Sequence, residues 1–235
     1  MRYNLYMERA NLLGFGIDKY TLDEAAEAAE KSCGQVVTIN PEMIDYALKN
    51  PEFADLINQA EFVIPDGIGV QLGLRIKGYK IRRIPGIEFA KRMLIETKGL
   101  PAAFVGAKPD VAQKAVNNLL KEIPELNAVY IHDGYFSDTD LILKEISSAN
   151  PRIVLAALGS PKQEEFIFML KKLLPEALLI GVGGSFDVWA GEVERAPEIY
   201  QKLGLEWLYR TVKEPARFKR IFPALPLFVL KVLRS

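Results

Sequence analysis

The sequence predicts an α/β protein built on a largely parallel, doubly wound sheet flanked by helices, with a helical, basic and apolar appendage at the C-terminal end. Three observations carry that reading. Short β-rich apolar runs alternate with longer amphipathic stretches through most of the chain. Several of the short runs, such as Ile153–Val154–Leu155–Ala156–Ala157–Leu158–Gly159, are apolar without a break, as strands covered on both faces are. The alternation stops near Arg195, where the composition turns basic.

In chain order, strands are expected at 11–15, 35–39, 61–65, 102–105, 128–131, 153–158 and 177–182. Helices are expected at 21–32, 42–49, 52–59, 68–77, 87–98, 109–122, 139–149 and 162–173. The first helix opens on Thr21 with Glu24 three residues later, the spacing of a capping box. Beyond Arg195, two short helices at 197–203 and 205–212 lead to Glu214–Pro215, where the residue before proline is pushed out of helix. A basic stretch at 217–220 and an apolar end containing Pro223 and Pro226 follow. The division is therefore an α/β core at 1–195 and an appendage at 196–235.

Composition excludes much. At 235 residues, 49% hydrophobic and 26% charged, the chain buries a full core without disulfide or metal. Thirty basic residues balance thirty acidic ones, so the whole chain does not read as a nucleic-acid binder. The balance conceals an asymmetry: residues 195–235 hold nine basic residues against three acidic ones, a net of +6. Such a tail meets an anionic partner. Cys33 is the single cysteine, so no intrachain disulfide forms and a reducing cytosol is the expected compartment. The N-terminal residues do not follow the order of a signal peptide. The longest apolar run, 221–230, contains two prolines and is too short to span a bilayer. Beside the basic residues, Phe222, Leu225, Leu227, Phe228 and Leu230 suggest instead an anchor lying on a membrane surface.

In open parallel sheets, ligands bind at the carboxyl ends of the strands. Six expected strand ends carry small or polar residues: Thr38 to Asn40, Asp66–Gly67, Gly106, Asp133–Gly134, Gly159 to Gln163, and Gly183–Gly184–Ser185. Asp66 is the best-placed general base, a helix-capping Asp being the bland alternative. In the Gly159 to Gln163 turn, Ser160 can cap, Pro161 suits the first helical position, and the N–H groups beyond it together with Lys162 can face an anion; a plain helix start is the competing reading. Gly181, Gly183 and Gly184 allow close backbone approach to a phosphate or sugar, without matching a complete dinucleotide or phosphate-loop signature. Asp138 and Asp140 resemble a metal pair but sit where a helix begins, so a cap is preferred, and His132 is read as a satisfied strand-end side chain. Neither a cofactor nor a metal is expected.

The stretches T38-I-N40-P-E, V63-I-P-D66-G-I-G, R83-I-P-G86, G134-Y-F, G159-S-P-K-Q163-E, G181-V-G-G184-S-F-D, A190-G-E-V-E-R195-A-P and E206-W-L-Y-R210-T-V-K-E-P215-A-R217-F-K-R220 run in order over nearly the whole chain. Together they resemble the WecG/TagA/CpsF glycosyltransferases (glycosyltransferase family 26), and are closest to the TagA branch. The resemblance implies a Rossmann-like fold and an inverting, metal-independent transfer of N-acetylmannosamine from UDP-ManNAc to the 4-hydroxyl of N-acetylglucosamine on undecaprenyl diphosphate. The product is a β-1,4 linkage of the wall teichoic acid linkage unit or a related surface polysaccharide. It further implies Asp66 and Thr38 as catalytic, with Asp66 as base. Thr38 and Asn40 would position the sugars, and Gly159, Ser160, Lys162, Gln163 and Gly184 would hold the donor. Arg195 would bind substrate, and Arg210, Arg217 and Arg220 would meet the diphosphate.

Expected partners are the two substrates and an anionic membrane surface, with no nucleic acid; a homo-oligomer stays open. The expected location is cytoplasmic, peripheral on the inner face of the cell membrane. The competing reading is a membrane-associated nucleotide-sugar-binding regulatory protein without turnover. An NAD-type dehydrogenase is opposed by the missing G-x-G-x-x-G.

Overall fold

The computed structural model describes residues 8–202, 205–213 and 215–235, without the side chains of 202, 207, 210, 211, 213 and 215–224. The chain opens with a hairpin of β1 (Ala10–Leu12) and β2 (Phe15–Ile17), antiparallel in register. A single strand was expected over 11–15. The chain instead reverses at Leu13 and Gly14, both at positive φ (56° and 91°), a conformation leucine rarely adopts and its identity does not announce.

A six-stranded parallel sheet follows, in the order β4-β3-β8-β7-β5-β6. Its strands are β3 (Gly34–Ile39), β4 (Phe62–Pro65), β5 (Pro101–Gly106), β6 (Asn127–His132), β7 (Ile153–Ala157) and β8 (Leu178–Gly181). All residues of β3, β4, β7 and β8 are buried, as the unbroken apolar runs of β4, β7 and β8 require, and β3 buries Gln35 and Thr38 as well.

One face is covered by α1 (Leu22–Glu30), α5 (Gly86–Glu96), α6 (Val111–Glu122) and α9 (Ser185–Trp189), whose buried side chains meet Val36, Ile64, Phe104, Leu155 and Ile180. The Thr21–Glu24 capping box opens α1 as expected. The other face is covered by α2 (Pro41–Ala47), α3 (Pro51–Asn58) and α4 (Ile68–Ile76) around Val37, Ile39 and Val63, and by α7 (Thr139–Ala149) and α8 (Lys162–Leu173) around Val105, Val154 and Leu179. Helices on both faces of a parallel sheet give the Rossmann-like arrangement that the sequence predicts.

The tail forms α10 (Glu198–Lys202), α11 (Glu206–Lys213) and α12 (Pro215–Arg234), and α12 packs on α2 and α4. The prolines at 223 and 226 do not end this helix. Glu214, where a break was expected, lies outside the described residues. Phe228 and Val232 are buried with Leu12, Val70 and Leu74. Two glycines one turn apart on α4 admit the helix: a Cβ at Gly69 would lie 2.7 Å from Leu225, and one at Gly73 would lie 3.2 Å from the Phe228 ring. Lys231 pairs with Asp45 on α2, and this contact, with Lys49, holds the Asp45 carboxyl below its usual range. Phe228 is therefore core and not part of a surface anchor. Among the described side chains of this helix, Leu227, Leu230 and Leu233 are large, apolar and exposed. Among the described residues, no helix is long and apolar enough to cross a membrane.

Candidate active site

Parallel pairing brings all six strand ends to one edge of the sheet. Ile39 lies beside Pro65, Ala156 beside Gly181, Gly106 beside Ala157, and Val105 beside His132. The turns that follow therefore form one row, with Asp66 at the β4 end and Asp133 at the β6 end.

Asp66 is half-buried, its backbone fixed by its N–H donating to the Ile39 carbonyl (2.8 Å). Gly67 follows with φ 81°, and no atom lies within 4 Å of where its Cβ would be, so the turn is open at this point. Thr38, on the adjacent strand, is buried and donates its hydroxyl to the Gly181 carbonyl of β8 (3.1 Å), tying these two strand ends together. Asn40 is the N-cap of α2, its Oδ1 accepting the Met43 N–H (3.0 Å). Arg83 comes close through the Ile84 N–H, which donates to the Pro65 carbonyl; its guanidinium donates to the Gln201 carbonyl (2.6 Å), joining this end of the row to the tail.

The Gly159 turn differs from its expected form. Pro161, not Ser160, occupies the N-cap position of α8. The N–H of Gln163 donates to the Gly159 carbonyl and that of Glu164 to the Pro161 carbonyl, so these two do not face an anion. Gln163 is buried, and both ends of its amide are engaged: Nε2 donates to Glu164 Oε1 (2.6 Å), and Oε1 accepts the Gly183 N–H (3.0 Å). It holds the β8 turn and does not reach out toward a donor. Gly183 takes φ 50°, and Gly184 begins α9 with only Asp187 Oδ2 near its Cβ direction (3.8 Å). Burial pushes the Glu164 carboxyl up to about 7, against the lowering effect of its hydrogen bonds to Gln163 and Ser160.

Lys162 points along the row, its Nζ 4.9 Å from the centre of the Phe136 ring. With Lys108, Tyr135 and Asp187 it lines a cavity of about 680 Å³ over the ends of β5, β6 and β7. That volume lies within the roughly 300–1,000 Å³ of small-molecule sites. The sequence reading did not single out Lys108, Tyr135 or Asp187 as site residues, although the GYF and GSFD stretches contain two of them.

Arg195 has two carboxylate partners, Glu88 on α5 and Glu206 on α11 (4.0 Å), so it joins the tail to the core. The side chains of Arg210, Arg217 and Arg220 lie outside the described residues. Asp138 is a helix cap, its Oδ1 accepting the Leu141 N–H (2.9 Å). His132 donates from Nδ1–H to the Asp133 carbonyl (2.8 Å), in accord with a strand-end role.

A doubly wound parallel sheet whose strand ends present a half-buried carboxylate at one side and a cavity at the other is an α/β protein of the class in which ligands bind along the carboxyl edge. The chain belongs to the glycosyl transferase WecG/TagA/CpsF family, which matches residues 10–235. It is similar to the N-acetylglucosaminyldiphosphoundecaprenol N-acetyl-beta-D-mannosaminyltransferase of Bacillus subtilis (strain 168), at 36% identity over 99% of this chain and 90% of the relative. The Bacillus spizizenii protein of the same name is 35% identical over 85% of this chain and 78% of its own length.

Proposed function

We propose that this protein transfers N-acetylmannosamine from UDP-ManNAc to the 4-hydroxyl of N-acetylglucosamine on undecaprenyl diphosphate, with inversion. The observation that carries the reading is the placement of Asp66 and the cavity on one edge. Asp66 lies three strand spacings, about 14 Å, from β7, the nearest strand under the cavity, and four from β5. A nucleotide diphosphate sugar laid across the strand ends has its uridine in the cavity, stacked on Tyr135 beside Lys162, and its sugar near Asp66 and Thr38.

The chemistry is a single displacement. The Asp66 carboxylate takes the proton of the acceptor hydroxyl as its oxygen attacks C1, the C1–O bond to the diphosphate breaks, and UDP leaves with the electron pair. Cations must offset the developing charge. Lys162 lines the cavity, and Arg210, Arg217 and Arg220 are assigned here from the sequence. Thr38, held by the Gly181 carbonyl, and Asn40, at the start of α2, border the sugar. Gly159, Ser160 and Gly184 form the open floor between them, and Gln163 supports that floor from below.

Residues 1–195 act as the catalytic core. Residues 196–235 complete the site and rest on an anionic membrane, where Leu227, Leu230 and Leu233 enter the interface. The protein then works at the cytoplasmic face, where the lipid carrier presents its diphosphate.

Two experiments test these readings. Incubation of the protein with UDP-ManNAc and a short-chain GlcNAc-diphospholipid should release UDP only when acceptor is present, with a product heavier by one N-acetylhexosamine. UDP binding without acceptor-dependent release would favour a binding protein. In flotation with vesicles containing anionic lipid, replacing Leu227, Leu230 and Leu233 by Ser should release most of the protein without changing its melting temperature; unchanged flotation would remove this stripe from the account.

A further inference from the structure

Charge is distributed unevenly within the core as well as in the tail. Between Asp66 and Glu88, residues 67–87 carry five basic residues and no acidic one. The segment 215–235 also carries five basic residues and no acidic side chain. These two stretches are far apart in sequence, yet α4, which lies in the first, and α12, which makes up the second, pack against each other.

The contact fixes how the two helices lie. Gly69 meets Leu225, and Gly73 meets Phe228 about one turn further along both helices, so α4 and α12 run side by side in the same direction. On α4, Val70 and Leu74 turn into the core and the two glycines turn to α12, which leaves Leu72 and Ile76 on the outer side. On α12, Phe228 and Val232 turn inward and Lys231 reaches Asp45 on α2, which leaves Leu230 and Leu233 on the outer side. Leu72 is 41% exposed, Ile76 36%, Leu230 41% and Leu233 62%. The outward apolar side chains of the tail therefore continue onto a helix of the core.

Cations flank this surface. A helix C-terminus favours positive charge, which accounts for Arg75 in the last turn of α4 and Lys77 at its C-cap. It accounts for neither Lys80 nor Arg82, which stand beyond the helix. There Tyr79 and Ile81 pack against the core cluster, and the alternating Lys80 and Arg82 are left exposed.

We propose that α4 and residues 77–82 form, together with α12, one docking surface for an anionic phospholipid bilayer, so that the core itself and not the tail alone meets the membrane. This rests on the membrane reading of the tail and is independent of the transferase reading. Exposed apolar side chains rimmed by cations and free of carboxylates match the chemistry of such a surface: the apolar groups enter the interface and the cations meet headgroup phosphates. A second copy of this chain fits less well, because two such surfaces face to face bring like charges together. The placement also has a consequence for the site. Leu72 and Ile76 stand about 6 and 12 Å along α4 from Ile68, which follows Asp66 by two residues, so docking through α4 sets the height of Asp66 above the headgroups.

The test uses the full chain and vesicles of equal parts phosphatidylglycerol and phosphatidylcholine, with two variants: Leu72→Ser with Ile76→Ser, and Arg75→Gln with Lys77→Gln and Lys80→Gln. Surface substitutions of this kind should leave the melting temperature unchanged. Each variant should bind the vesicles about tenfold or more weakly than the parent, and the glutamine variant should lose most of the parent's salt dependence. On phosphatidylcholine alone the parent should bind no better than the glutamine variant. The proposal is overturned if both variants bind as the parent does; a loss confined to the variant lacking Leu227, Leu230 and Leu233 would leave the tail as the whole contact. Self-association of the parent without vesicles, abolished in either variant, would assign the surface to a second copy and also overturn it. If the parent binds no vesicles, the membrane reading of the tail falls with this one, while transfer to a short-chain acceptor without vesicles still decides the transferase reading.

Discussion

Replacing Asp66 by Asn should lower kcat by about 10²–10⁴ while leaving UDP affinity within about twofold. The asparagine is nearly isosteric, keeps the Asp66 N–H bond to the Ile39 carbonyl, and leaves the open Gly67 turn intact. What it loses is the ability to take the acceptor proton. The cavity around Tyr135, Lys162 and Asp187 lies over strands β7, β5 and β6, the nearest of them three strands from Asp66, and should bind the nucleotide as before. Single-turnover transfer and calorimetric titration of UDP separate the two quantities. A variant that turns over normally would remove Asp66 as base, and one that loses UDP binding would place the nucleotide at the wrong end of the row.

The second large effect is on stability. Removing α12, residues 215–235, should unfold part of the core, because Phe228 and Val232 are buried against Leu12, Val70 and Leu74. The segment belongs to the appendage by sequence, yet it packs into the same apolar cluster as the first strand and α4. A milder variant gives the magnitude. Phe228→Ala removes a ring in contact with α4 at Gly73 and should cost about 3–5 kcal/mol. For a chain of this size that lowers the melting temperature by roughly 10 °C. Thermal unfolding followed by circular dichroism measures it. An unchanged melting point would mean that the helix is not docked in solution, and the tail would then return to being an independent anchor.

Most of the fold was legible in the sequence because its physics is local. Unbroken apolar runs mark strands covered on both faces, and the Thr21–Glu24 box marks a helix start. Leu13 and the C-terminal helix were harder. Nothing about leucine signals positive φ, and the reversal at residues 13 and 14 comes from the pairing of Leu12 with Phe15. Pro223 and Pro226 argue locally against a continuous helix. The tertiary contacts of Phe228 and Val232 on α2 and α4 favour one, and the exposed side at Pro226 lets water replace a missing backbone bond.

The candidate site divides in the same manner. The strand-end rule placed Asp66, Thr38, Gly159 and Gly184 along one edge, because parallel pairing leaves no other arrangement. It did not say which side chains turn inward. Gln163 lies three and four residues before Phe166 and Ile167, and Glu164 three before Ile167, so the buried stripe of α8 extends back through both. That periodicity was the available signal, masked by their polarity. Arg195 likewise reads as a cation for a phosphate until Glu88 and Glu206 are seen beside it. Such pairing is between distant residues and has no local trace.

In the proposed reaction one carboxylate, Asp66, drives a single displacement at the sugar carbon. The most direct measurement is the anomeric configuration of the disaccharide lipid made from UDP-ManNAc, read by one-bond carbon–proton coupling at C1. A β-linked product, formed by the parent and not by Asp66→Asn, is the expected result. An α-linked product would require two displacements and a second nucleophile, and would contradict the account, as would β-linked product formed equally fast by the variant.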